Sequence, residues 1–132
     1  MRTATASSLA DLAEDPRPTA DWWVSVARTL DEVGERLSIE VAADAAPAGA
    51  FAEAISRDPS LSNPASRATR DGARLVERVR GLRRTVAGVA GDGTKTSWIA
   101  SQLSSVAHAE RSYVRRARSI VWDAHCRDLG GE

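Results

Sequence analysis

Three stretches of this chain each carry an apolar stripe at helical spacing, and these stripes constrain the fold more than any other feature. Apolar side chains that recur every three or four residues form one face of an α-helix, which a helix bundle buries as its core. The stripe of the first stretch consists of Trp23, Val26, Leu30, Val33 and Leu37. That of the second consists of Ala65, Ala68, Leu75, Val79, Leu82, Val86 and Val89. That of the third consists of Ile99, Leu103, Val106, Ala117, Ile120 and Ala124. Because alternating β-branched residues are scarce, the sequence predicts an all-α fold.

Capping and breaking residues predict where the helices begin and end. Thr19 is a candidate N-cap for the first long helix, because its hydroxyl can accept a bond from a free backbone N–H. Asp58 ends a short helix, since the residue before Pro59 is pushed out of the helical region. The pattern predicts an up-down bundle of three long helices and one short helix, with approximate bounds 21–44, 48–57, 63–89 and 94–127.

Residues 1–18 are predicted to be a flexible N-terminal tail, and residues 19–132 a single helical-bundle domain. Within the tail, Leu9 and Leu12 could form one short helical turn. The first ten residues show no apolar core of a signal peptide, and no apolar run is long enough to span a membrane. The single cysteine, Cys126, fits a reducing compartment, so we expect a cytoplasmic protein with no membrane partner.

Charge is unevenly distributed, although the formal net charge is zero. Residues 1–58 hold 11 acids and 5 bases, a net of −6, whereas residues 67–118 hold 12 bases and 4 acids, a net of +8. A basic segment can form a nucleic-acid surface. However, the outward-facing arginines have no interleaved aromatic side chains to stack on bases, as at Arg67, Arg70, Arg74 and Arg78. The sequence therefore disfavours nucleic acid and predicts an acidic first helix packed beside basic later helices.

The tryptophans test the predicted path of the chain. Trp22 and Trp23 begin the first long helix, and Trp98 begins the last one. An up-down-up path brings these three side chains to the same end of the bundle. We therefore expect them to cap the hydrophobic core at that end.

Non-apolar residues interrupt the stripes at positions that a bundle would bury. Glu40 and Asp44 follow the first stripe, Gly72 interrupts the second, and Glu110 and Tyr113 interrupt the third. Their oxygens could bind a metal ion, or the carboxylates could be neutralised by an arginine of a neighbouring helix. Gly72 removes side-chain volume, which either leaves a small pocket or permits close packing against a large side chain.

No motif in the chain predicts a catalytic activity. His125 and Cys126 are neighbours on a helix, where their side chains point about 100° apart and rarely meet as a nucleophile pair. The chain has no glycine-rich phosphate loop and no Cys/His spacing typical of zinc sites. The sequence therefore favours a protein that is not an enzyme.

Two short segments carry a resemblance to a known family. Residues 49–61 read Gly-Ala-Phe-Ala-Glu-Ala-Ile-Ser-Arg-Asp-Pro-Ser-Leu, and residues 123–132 read Asp-Ala-His-Cys-Arg-Asp-Leu-Gly-Gly-Glu. They resemble a group of hemerythrin-like (HHE cation-binding) bacterial proteins. That group shows Gly-Leu-Leu-Ala-Glu-Ile and then Pro-x-Leu, and ends in an acidic-Ala-aromatic segment followed by Asp-Ile-Gly-Gly-acid. The order and spacing of the two segments extend the resemblance over about residues 21–132.

The resemblance implies a bundle in which histidines and carboxylates hold a non-haem di-iron or similar metal centre. At the family's three histidine positions this chain has Glu40, Gly72 after Asp71, and Tyr113. Imidazole is the main nitrogen ligand of such centres. We therefore expect a degenerate member without a di-iron centre, acting as a binding or interaction module for a protein partner or small ligand. The alternative is an oxygen- or redox-related protein that binds non-haem iron or a similar metal, with Glu40, Asp44, Asp71, Glu110 and Tyr113 as ligands. Separately, Gly72 and Tyr113 are the residues expected to line a ligand pocket.

Overall fold

A computed structural model describes residues 8–130, with side chains up to Cys126. Its α-helices are α1 (Leu9–Glu14), α2 (Ala20–Ala45), α3 (Ala50–Arg57), α4 (Ser62–Val89) and α5 (Thr96–Gly130), with 3-10 turns at Pro59–Leu61 and Gly93–Lys95. No strand occurs in this part of the chain, so the predicted all-α fold with three long helices is confirmed. None of these helices combines the length and the apolar character that crossing a membrane requires.

Ion pairs join the three long helices to one another. Arg83 of α4 binds Asp31 of α2 at 3.0 Å, Arg116 of α5 binds Asp71 of α4, and Arg36 of α2 binds Glu110 of α5. Along α2, Asp31, Gly34 and Val41 lie against Arg83, Val79 and Gly72 of α4, in that order. Along α5, Ser105, Tyr113 and Arg116 lie against Arg78, Gly72 and Asp71 of α4. Helix α4 is therefore antiparallel to both α2 and α5. The pair between α2 and α4 agrees with the predicted packing of an acidic helix beside a basic one.

The predicted apolar stripes form the core between the long helices. The largest fully buried side chains are Val26, Leu30, Leu37, Val79, Val86, Ile99, Leu103 and Val106. Burying one Val, Leu or Ile side chain contributes about 1.5–3 kcal/mol, so these stripes dominate the stability of the bundle. A smaller cluster holds α3 to the ends of α4 and α5, through Phe51, Ala54, Leu61, Ala65, Ala68, Ile120 and Ala124.

Residues 8–14 of the predicted N-terminal tail are folded onto the bundle. The Ser8 hydroxyl accepts a bond from the backbone N–H of Asp11 at 3.0 Å, and the Asp11 carboxylate accepts one from the backbone N–H of Ser8 at 3.4 Å. This reciprocal capping box stabilises the start of α1. Leu9 and Leu12 are buried in the main core, as their predicted helical turn allows. Residues 8–14 thus belong to the domain, and residues 1–7 of the predicted tail lie outside the described residues.

The tryptophans only partly follow the prediction. Trp22 and Trp23 are buried, with ring centroids 5.0 Å apart in an edge-to-face arrangement, and the Trp22 indole N–H donates to the carbonyl of Leu12 at 3.1 Å. These two rings cap the core as expected. Trp98, however, is 49% exposed. Its neighbour Ile99 faces the core, and adjacent helical residues point about 100° apart, so Trp98 is directed to the side of the bundle.

Candidate functional site

A groove of about 810 Å³ lies between the C-terminal part of α2, the short helix α3 and the second half of α5. Its lining combines small apolar side chains with a few charged and aromatic ones. The small side chains are Ala43, Ala50, Ala54, Ala117 and Ala124. Because alanine fills little volume, these positions leave open the space between the three helices.

The turn between α2 and α3 places α3 beside the groove. The backbone N–H of Gly49 donates to the carbonyl of Ala46 at 2.8 Å, which reverses the chain after α2. A β-carbon at Gly49 would collide with the carbonyl oxygen of Ala43 and would lie 3.0 Å from that of Asp44. Only glycine permits this close approach, so Gly49 allows α3 to fold back onto the end of α2.

Tyr113 and Asp44 form the polar end of the groove. Tyr113 is 4% exposed, and its hydroxyl donates to Asp44 Oδ2 at 2.8 Å. Burial, the hydrogen bond to Asp44, and the negative charges of Asp44 and Glu40 together raise the pKa of Tyr113 above its ordinary value. The phenol is therefore neutral and acts as a donor, with two carboxylates close to its oxygen.

Gly72 is explained by close packing. A β-carbon at this position would lie 2.9 Å from Tyr113 Cε1, and 2.9 and 3.0 Å from the two methyl carbons of Val41. The ring of Tyr113 and the side chain of Val41 therefore occupy the space that a side chain at Gly72 would need. Of the predicted pocket residues, Tyr113 lines the groove, whereas the face of Gly72 is filled. Close packing, not open space, therefore accounts for a glycine at this position.

The predicted metal ligands are divided among separate contacts. Asp71 binds Arg116 of α5, with Arg74 of its own helix at 3.9 Å, and Glu110 binds Arg36 of α2. Within residues 8–126, no group of three or more His, Cys, Asp or Glu side chains is arranged to hold a metal ion. The structure brings together only Glu40, Asp44 and Tyr113 from the predicted set. This donor set does not fit a di-iron centre, which needs several carboxylates and imidazoles around two ions.

The groove also contains residues that the stripe analysis did not select. Trp122 is 63% exposed and Val121 is exposed beside it, both on the α5 side. The rings of Trp122 and His125 have centroids 5.8 Å apart. Val121 and Trp122 lie between the stripe positions Ile120 and Ala124 of α5. A large apolar residue off the stripe is the sequence signal that could have identified them.

The chain matches no family model, no curated protein and no solved structure. The resemblance of residues 49–61 and 123–132 to hemerythrin-like proteins therefore stays a prediction from the sequence. What the structure defines is a class: an all-helical bundle with a groove beside a buried tyrosine.

Proposed function

We propose that this chain is a cytoplasmic, non-catalytic binding module. In this proposal it is a degenerate relative of hemerythrin-like proteins, without a di-iron centre, and it receives a small ligand or a protein partner in the groove between α2, α3 and α5. The observation that carries the proposal is the alanine-lined groove with an exposed tryptophan, Trp122, among its lining residues.

The size and lining of the groove support ligand binding. Small-molecule sites usually have volumes of about 300–1,000 Å³ and are mostly apolar, with a few polar groups that set orientation. This groove of about 810 Å³ has alanines, Val114 and Val121 as apolar surface, and Tyr113, Asp44 and Glu40 are among its polar groups. Covering Trp122 would stabilise a complex, because removing apolar surface from water contributes about 25 cal/mol per Å².

The contacts of the carboxylates argue against the metal-binding alternative. A carboxylate held by a guanidinium, as Asp71 is by Arg116, must break that ion pair before it can bind a metal ion. The Tyr113 hydroxyl donates a hydrogen bond to Asp44 and keeps its proton, so it is not an anionic ligand. An iron site would thus depend on Glu40 and Asp44 alone, fewer ligands than a non-haem iron centre uses.

Binding of the neutral dye Nile red tests the groove as a ligand site. We expect saturable binding with one dye per chain. Ala43 is exposed and lines the groove, so Ala43→Trp should fill the groove without disturbing the core and should weaken binding about tenfold, or 1.4 kcal/mol. Ala42→Trp is the matched control, because Ala42 is also exposed on α2 but does not line the groove.

Two results would contradict the proposal. Equal dye affinity for the Ala43→Trp and Ala42→Trp variants would mean that the groove is not the binding site. Stoichiometric iron in protein purified without a histidine tag, together with a visible charge-transfer band, would support the metal-binding alternative.

A further inference from the structure

We infer that the groove selects an organic cation, a ligand that joins one ammonium or guanidinium group to an aromatic or aliphatic body. This inference rests on the proposed binding function and names the chemistry of the ligand. It follows from the placement of two carboxylates of α2 on one wall of the groove and an exposed indole of α5 in the same lining. The carboxylates are those of Glu40 and Asp44, and the indole is that of Trp122.

The C-terminal end of α2 carries negative charge that forms no ion pair among the described side chains. Glu40 and Asp44 lie in its last two turns, and its last turn contains no basic residue. A helix C-terminus has a partial negative charge of its own, so acidic side chains there are disfavoured in the free protein. Within the described residues, no basic side chain forms an ion pair with Glu40 or Asp44. A bound cation would relieve this unfavourable arrangement.

Tyr113 holds one of these carboxylates in position. Its hydroxyl binds Asp44 Oδ2 at 2.8 Å, which leaves Oδ1 of the same carboxylate without a hydrogen bond inside the described structure. Asp44 is half-buried and Tyr113 is buried, so a cation at this end would lie in surroundings less polar than bulk water. Charge-assisted hydrogen bonds are stronger there than at a fully exposed surface.

The remaining charges favour a ligand with a single cationic end. Arg57 and Glu53 of α3 form an ion pair at 3.2 Å and largely cancel one another. Arg118 lies four residues before Trp122 on α5, on the same helix face, and gives that wall a positive charge. A second cationic group near Trp122 would meet Arg118. The apolar body of the ligand therefore fits against Trp122 while its cationic end meets Glu40 and Asp44.

Calorimetric titration with a matched pair of compounds tests the inference. Tryptamine carries an ammonium group at pH 7, whereas tryptophol has the same indole ring and two-carbon chain with a neutral hydroxyl group. We expect tryptamine to bind at least about tenfold more tightly, in line with the strength of a hydrogen bond to a charged group. Raising the salt concentration should reduce this preference, because ions screen partly exposed charges.

Substitutions then assign the preference to the two carboxylates. The double variant Glu40→Gln with Asp44→Asn keeps side-chain size and an acceptor for Tyr113, and it should lower tryptamine affinity about tenfold with little effect on tryptophol. Glu32→Gln is the control, because Glu32 is an exposed acid of the same helix outside the groove. Trp122→Ala should weaken both compounds, whereas Trp98→Ala, at an exposed tryptophan outside the groove, should weaken neither.

The outcomes of these titrations distinguish a failure of the cation inference from a failure of the proposed binding function. Equal affinity for tryptamine and tryptophol overturns the cation inference and leaves the groove as a ligand site. The cation inference is also overturned if neither compound binds while Nile red does. A preference for tryptamine that survives the double substitution overturns the assignment to Glu40 and Asp44. If Nile red also fails to bind, the proposed binding function itself is wrong.

Discussion

Replacing Gly72 with alanine should weaken the fold, although alanine is the better helix former. The added β-carbon would lie 2.9 Å from Tyr113 Cε1, and 2.9 and 3.0 Å from the methyl carbons of Val41. Favourable contacts between carbon atoms lie at about 3.5–4.0 Å. Both neighbours are buried, so neither side chain can move into solvent to make room. Helices α2 and α5 must shift, or the two side chains must adopt strained rotamers.

The magnitude can be isolated with a second glycine in the same helix. Overpacking a core costs about 1–3 kcal/mol, and exchanging glycine for alanine inside a helix gains about 1 kcal/mol. At Gly81 the only near neighbour of an added β-carbon is the terminal Nη2 of Arg84 at 3.7 Å, so Gly81→Ala should simply stabilise the protein. Because both substitutions share the propensity gain, their difference in unfolding free energy equals the overpacking cost, about 1–3 kcal/mol.

Urea unfolding followed by circular dichroism provides the measurement. For a domain of this size, each kcal/mol corresponds to a shift of about 3–5 °C in Tm, so thermal unfolding gives a second reading of the same difference. Val41→Ala removes two of the three close contacts and should make Gly72→Ala less harmful, a coupling that a double-mutant cycle measures. If Gly72→Ala proves as stable as Gly81→Ala, the packing of Tyr113 and Val41 against Gly72 is incorrect.

Two further predictions follow from buried groups. Tyr113 is the only tyrosine, so the near-ultraviolet absorbance of tyrosinate reports it alone, and its titration in the folded protein should lie above its ordinary pKa of about 10. The contribution of the Tyr113 phenol to the unfolding free energy should be complete below about pH 10 and should be lost as the pH rises through the raised pKa. Asp44→Asn should lower that pKa. A titration midpoint near 10 in the folded protein would show that the hydroxyl is solvated. Leu12→Ala should lower the unfolding free energy by about 2–5 kcal/mol, because Leu12 anchors α1 in the core. Val24→Ala is the control at an exposed position and should change the unfolding free energy by less than about 0.5 kcal/mol. Equal effects of these two substitutions in urea unfolding would mean that α1 is not packed on the bundle.

The stripes predicted the core because helical periodicity is a local property. Leu30, Leu37 and Leu103 are buried where the three-to-four spacing places them, and α2 begins at its predicted cap, with the Thr19 hydroxyl accepting from the backbone N–H of Trp22 at 3.2 Å. The N-terminal segment was harder to predict. A six-residue helix is too short to be stable alone, so α1 depends on packing against α2 and α5, which its own sequence does not show.

The candidate site, unlike the core, could not be predicted from helical periodicity. The stripes are interrupted at Gly72 and Tyr113, but the contacts of the interrupting residues depend on parts of the chain that are far away in sequence. Asp71 is neutralised by Arg116, 45 residues later, and Glu110 by a residue of α2 that lies 74 positions earlier. A carboxylate bound to arginine and a carboxylate that binds metal look the same in a sequence.

The sequence by itself determined the all-helical class, the apolar faces of the long helices and the positions at which those faces are broken. These properties follow from the 3.6-residue repeat of one helix, so neighbouring residues suffice to predict them. Only the tertiary structure decided that Tyr113 fills the space at Gly72, that Asp71 and Glu110 enter separate ion pairs, and that α2, α3 and α5 leave a groove. Those outcomes depend on how distant helices are rotated and aligned against one another, and no local pattern encodes that geometry.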